Sequence, residues 1–188
     1  EILLRLTIAV RRFGEGGVDC RRCQASDDDY IWTSEHWRVM GLGPTGLPVV
    51  VILEPREHLG DLGDMPDELL ANLGVMLGRV ERAVRSVGEI GRVHVCRWGD
   101  GSEHLHWWFM ARPARIPQLI GNFAAIWDDI LPPVPEEIWR ANLDAVAGQD
   151  RPVAIFEVGN AIGERGERDR VGPQIHLAIA VADGQRRA

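Results

Sequence analysis

Cys20-Arg21-Arg22-Cys23, His58 and His104 supply two thiols and two imidazoles from three separate stretches of the chain. Zinc takes four such nitrogen and sulfur ligands tetrahedrally. An ion shared by all four would staple a loop to a sheet and dictate which segments meet, a tighter constraint on folding than any local propensity. A closed site of this kind is structural. A CxxC by itself suits redox chemistry or incidental use equally well, but the βαβ setting of a redox motif is not evident. His36, His94 and Cys96 are competing ligands; His94 and Cys96 fall in an apolar run, where they read as buried filling.

The second feature is Gly99-Asp100-Gly101-Ser102-Glu103 followed by His104-Leu105-His106-Trp107-Trp108. As a strand over Glu103 to Ala111, alternation would place His104, His106 and Trp108 on one face and Leu105, Trp107 and Phe109 on the other. A neutral imidazole can attack phosphorus and carry the transferred group covalently, and His106 is the candidate nucleophile. Gly99 and Gly101 tolerate positive φ, so the loop suits close backbone approach to a phosphate, with Arg97 or Arg112 adding charge-assisted contacts. The run is equally an ordinary turn, and Trp98, Trp107 and Trp108 serve either as core or as a stacking surface for a base.

The remaining chain predicts an α+β domain with an antiparallel sheet, one long helix and additional C-terminal helices. Leu3, Leu6, Val10 and Phe13 space a helix over residues 2–13. The CxxC lies in a loop, and Tyr30 to Met40 form strand, turn and strand. Val49 to Leu53 read as a buried strand. Asp64 is the expected N-cap of a helix with Pro66 and Asp67 in its first turn, followed by an apolar stripe of Leu69, Leu73, Met76, Leu77, Val80, Val84 and Val87. Arg92 to Trp98 pairs with the histidine strand, and residues 116–130 and 135–147 predict further helices. The expected domain covers 1–148; Val153 to Val158 and Ile175 to Val181 suggest an extra hairpin or partly disordered tail over 149–188.

At 188 residues and 45% hydrophobic, the chain suffices for one full core. Its net charge of -7 argues against a general nucleic-acid surface. Lys is absent altogether, which excludes a Schiff-base or P-loop lysine. Three cysteines do not make a disulfide framework, so a cytoplasmic location is expected, and the opening apolar run is too short to span a bilayer.

The order Cys20-x-x-Cys23, Trp37 to Met40, Val50 to Leu53 into Pro55-Arg56-Glu57-His58, a long helix, then His104-Leu105-His106 resembles the histidine triad superfamily, including its zinc-bearing, galactose-1-phosphate uridylyltransferase-related branch. The likeness spans about residues 20–112. It implies nucleotide hydrolase or nucleotidyl transferase chemistry, zinc on Cys20, Cys23, His58 and His104, a nucleophile at His106, a nucleotide or nucleotide conjugate as substrate, and a homodimer, for which the residue 69–87 stripe offers a face. The third motif position, His or Gln in that superfamily, is Trp108 here. Indole only donates and cannot relay a proton. Asp100 and Ser102 are the nearest substitutes for a leaving-group donor, and the alternative is a zinc-stabilised binding protein with little turnover.

Overall fold

The computed structural model describes residues 11–117 and 123–148. Five strands, β1 (Trp32–Thr33), β2 (Trp37–Gly41), β3 (Val50–Pro55), β4 (Ile90–Cys96) and β5 (Trp107–Pro113), form an antiparallel sheet in the order β1-β2-β3-β5-β4. Among the described residues four α-helices accompany it: α1 (Arg21–Gln24), α2 (Asp67–Arg85), α3 (Ala124–Ile130) and α4 (Glu136–Gly148). This is the expected α+β architecture. No helix among the described residues is long and apolar enough to cross a membrane.

β3 is central, and all six of its residues are buried because both faces of the sheet are covered there. That explains its unbroken apolar run where an edge strand would alternate. On one face Trp37, Val39, Val51, Leu53, Trp107, Phe109 and Ala111 meet Leu73, Met76, Val80 and Val84 of α2 and Leu143 and Val146 of α4. At roughly 1.5–3 kcal/mol per fully buried large side chain, this layer is the chief source of stability. On the other face Val50 and Met110 pack with Leu47 and Ala124, a smaller cluster that leaves part of the sheet open. The cleft described below lies on that face.

α2 carries Asp67 and Glu68 in its first turn and Arg82 and Arg85 in its last, matching the helix dipole at both ends. Its cap is Pro66, however, and Asp64 closes a separate capping box with Asp61 around the short turn Leu62–Asp64. The apolar stripe of α2 packs against the sheet and α4, while Leu70 and Val75 of the same helix stay exposed. The N-terminal helix expectation falls mostly on residues outside those described. Phe13, its last member, is extended and bridges Ser102. α3 is shorter than residues 116–130, and 118–122 lie outside the described residues, as does the expected hairpin or tail at 149–188.

Candidate metal centre and histidine cleft

Cys20 stands at the N-cap of α1 and Cys23 within it, so the CxxC is a helical turn that presents both sulfurs to one point. His58 comes from the loop after β3 and His104 from the segment entering β5. The four ligand atoms all lie within 4.8 Å of one another. Nδ1 of His104 is 3.5 Å from Cys20 Sγ and 3.6 Å from Cys23 Sγ, and Nδ1 of His58 is 3.5 Å from Cys23 Sγ. Bonds of about 2.3 Å to sulfur and 2.0–2.1 Å to nitrogen at tetrahedral angles put S and N about 3.6 Å apart. The donor set therefore fits a tetrahedral ion.

Neighbouring groups orient these ligands. His104 is fully buried, and its Nε2–H donates to the Pro55 carbonyl at 2.9 Å, leaving the Nδ1 lone pair aimed at the sulfurs. Burial holds this imidazole below its ordinary range, and hence neutral. His58 Nε2 is buried without a hydrogen-bond partner among the described residues, 3.8 Å from a Glu103 carboxylate that accepts from Arg12 and from the Gly16 N–H. Gly14, at φ 76°, has no Cβ to collide with Cys20, whose Sγ would be 3.1 Å from it. Cys23 is exposed as a residue, yet partial burial of its sulfur and the adjacent Cys20 thiol push its pKa up to about 11. Two thiols this close ionise together only around a cation.

Beneath α1 lies a buried polar network. Glu54, with no exposed surface, accepts from the Tyr30 hydroxyl at 2.5 Å and from Arg38 at 3.2 Å. Arg38 also donates to the Arg22 carbonyl at 2.9 Å, fastening the CxxC turn to β2. Cross-strand pairing of Arg38 with Glu54 makes this possible.

β5 begins at Trp107, later than the expected Glu103. Residues ahead of it bond to loops instead of to β4: Glu103 N–H donates to Phe13 and Leu105 N–H to Leu59. The alternation nevertheless holds from Leu105 onward. Leu105, Trp107 and Phe109 enter the core, whereas His106 and Trp108 face a cleft of about 350 Å³. His106 Nδ1–H donates to the His104 carbonyl at 2.7 Å, which leaves Nε2 with its lone pair. The Trp108 ring is 6.2 Å from that imidazole and 5.7 Å from Trp98, and its buried N–H has no acceptor among the described residues.

Asp100, Gly101 and Ser102 line the same cleft. Other expected substrate-binding residues are placed elsewhere. Arg97 is held by Asp61 and the Gly60 carbonyl, and Arg112 lies along Gly91 and its own strand. Gly99 directs its carbonyl to Arg12. Neither Gly99 nor Gly101 adopts positive φ; Gly14, Gly16 and Gly17 do, beside the metal cluster. Trp107 packs against Trp37 in the core, 6.1 Å between rings, and cannot stack on a ligand. His94 and Cys96 line a separate apolar hollow of about 280 Å³. Arg22, Phe13, Leu42 and Ile52 complete the histidine cleft and were not singled out from sequence. A signal for Arg22 existed: whatever gathers Cys20 and Cys23 to His104 carries the residues between them toward His106.

No family model and no curated protein matches the chain. Solved structures do. A histidine triad protein from Bradyrhizobium japonicum is 17% identical with a TM-score of 0.52, covering 65% of this chain and 91% of its own. One from Sinorhizobium meliloti 1021 is 16% identical with a TM-score of 0.53 over the same shares, 65% and 91%. A hypothetical histidine triad nucleotide-binding protein from Sulfolobus tokodaii is 14% identical with a TM-score of 0.51, covering 69% and 91%. At these identities the likeness is one of fold, and the chain has the fold of the histidine triad proteins.

Proposed function

We propose that this chain is a nucleotidyl hydrolase or transferase that works through a covalent intermediate on His106, with a structural zinc on Cys20, Cys23, His58 and His104. The observation that carries the reading is His106 itself, whose Nδ1–H is fixed on the His104 carbonyl while its ring lines an open cleft. Nε2 then needs no base to attack phosphorus. The nucleotide binding named for the Sulfolobus relative accords with this. Zinc would contribute a crosslink, its charge cancelled by two thiolates, and so would hold the His104 carbonyl in place.

In the first step the Nε2 lone pair forms a bond to phosphorus as the bond to the leaving group breaks, the leaving group taking the electron pair. Water then attacks phosphorus, the P–N bond returns its pair to Nε2, and the proton of water passes to solvent; in a transferase, an acceptor hydroxyl or phosphate replaces water. Asp100, Gly101, Ser102 and Trp108 line the cleft, and in this reading the first three would border the phosphate while Trp108 walls the site. Trp108 releases no proton, so leaving groups stable as anions, phosphates or carboxylates, suit this site better than amines, with Ser102 the nearest hydroxyl donor.

Incubation with nucleoside phosphoramidates, acyl nucleotides and dinucleoside polyphosphates, followed by mass spectrometry, should show a nucleotidylated His106. His106→Asn should abolish both adduct and turnover at unchanged zinc content. Trp108 in place of a proton-relaying residue favours the second reading, nucleotide binding without turnover. Saturable nucleotide binding with no adduct and no hydrolysis across the panel would establish it over the first.

A further inference from the structure

We infer that Arg22 is the anion-binding residue of the histidine cleft, holding the phosphoryl oxygens of the group that His106 attacks. This rests on reading the cleft as a phosphoryl site, and it assigns the charge that Arg97 and Arg112 do not deliver. Among the described residues that line the cleft, Arg22 is the one permanent cation and Asp100 the one carboxylate. Asp100 is exposed on a loop, where water and salt screen it. Arg22 is set against the buried network, where charges are screened less.

The network itself leaves a positive charge over. Arg22 and Arg38 share a single carboxylate, Glu54, and burial together with that carboxylate keeps Tyr30 protonated and neutral. Arg38 is the committed partner: its side chain is 4% exposed and bonds Glu54 at 3.2 Å. Arg22 is 35% exposed, and its Nε stands 3.5 Å from Glu54 Oε2, which accepts no hydrogen bond among the described residues. Of the other guanidinium nitrogens, one meets the Met40 thioether, a weak acceptor, and one has no partner among the described residues. With Nε on Glu54 and the backbone clamped by Arg38, the two terminal nitrogens, one held only by a weak thioether acceptor, are the donors left for the oxygens of a phosphate in the cleft that Arg22 lines. The clamp acts on the Arg22 carbonyl, so changing the side chain leaves the turn in place.

The test uses the full-length, zinc-loaded protein and inorganic phosphate as probe, read by the ring resonances of His106. Phosphate should shift these signals saturably, and Arg22→Gln should weaken that binding roughly tenfold or more, as for loss of charge-assisted hydrogen bonds. Arg21→Gln removes the same charge one residue away, from a guanidinium 5.5 Å over the Phe13 ring, and should change affinity less than about twofold. Zinc content should stay constant in both. If Arg22→Gln fails to fold, Arg22→Lys, which keeps charge but loses the fork, should bind phosphate several-fold more weakly. No saturable shift in the wild type, equal losses in the Arg21 and Arg22 variants, or undiminished affinity on changing Arg22 would each overturn the inference. A saturable, Arg22-dependent shift without nucleotidylation of His106 would uphold the anion site and remove only the catalytic reading.

Discussion

Gly14 and Gly16 permit the metal site to be separated from the loop that carries it. Both adopt left-handed φ, 76° and 70°, and alanine at either imposes about 1–2 kcal/mol of backbone strain. The gain from a stiffer unfolded chain, about 0.4–1 kcal/mol, is common to both and cancels in their difference. Surroundings distinguish them. A Cβ on Gly16 meets nothing within 4 Å, whereas one on Gly14 sits 3.1 Å from both Cβ and Sγ of Cys20. Cys20 would have to retreat by a few tenths of an ångström, and the proposed zinc–sulfur bonds of about 2.3 Å would resist that. With about 1–3 kcal/mol for overpacking, Gly14→Ala should be destabilised by roughly that much more than Gly16→Ala. Zinc affinity should drop roughly tenfold or more in Gly14→Ala alone, the scale of losing a supporting contact to a ligand. Urea unfolding in the presence of zinc and competition with a chromophoric chelator measure the two quantities. Equal destabilisation in both variants with equal zinc affinity would refute the argument, since it would mean that Cys20 is free to move.

Metal analysis should find one zinc per chain, and Cys23→Ser should lower its affinity and the unfolding midpoint together; a zinc-free protein of unchanged stability would contradict a structural site. Trp108→His should raise hydrolysis of substrates with amine leaving groups more than of anhydrides, because only the former need a proton; an equal change for both classes would count against leaving-group control at this position. His94 is held below its ordinary value near 6.5 by burial and then by Arg112, so the unfolded chain takes up a proton that the folded chain resists. Its contribution is therefore present above about pH 6.5 and is lost as pH falls below it, and unfolding free energy should fall less steeply between about pH 7.5 and 5.5 in His94→Gln than in the wild type. Parallel curves would show that His94 titrates alike in both states.

Periodicity and ligand chemistry are local properties, and what depends on them was legible in the chain. The period of α2, the doubly buried run of β3 and the pairing of β4 with β5 follow from side-chain spacing, and the antiparallel α+β sheet follows from them. Cys20, Cys23, His58 and His104 were recognisable by residue type, and the fold brings their donor atoms to one point. The direction of His106 was also readable, because alternation into β5 needs only parity. Which loops meet was not. Arg97 adjoins the glycine loop in sequence yet is drawn away by Asp61, whereas Arg22, far from it in sequence, enters the cleft because the CxxC turn is gathered to His104. Of the left-handed glycines, Gly14 lies against Cys20 and Gly17 against His58 while Gly16 faces open space, and which of them has a neighbour is a tertiary matter. Alternation put Trp107 and Trp108 on opposite faces, but which of the two faces is core and which is cleft wall was decided by the helices that cover one side of the sheet and leave part of the other open.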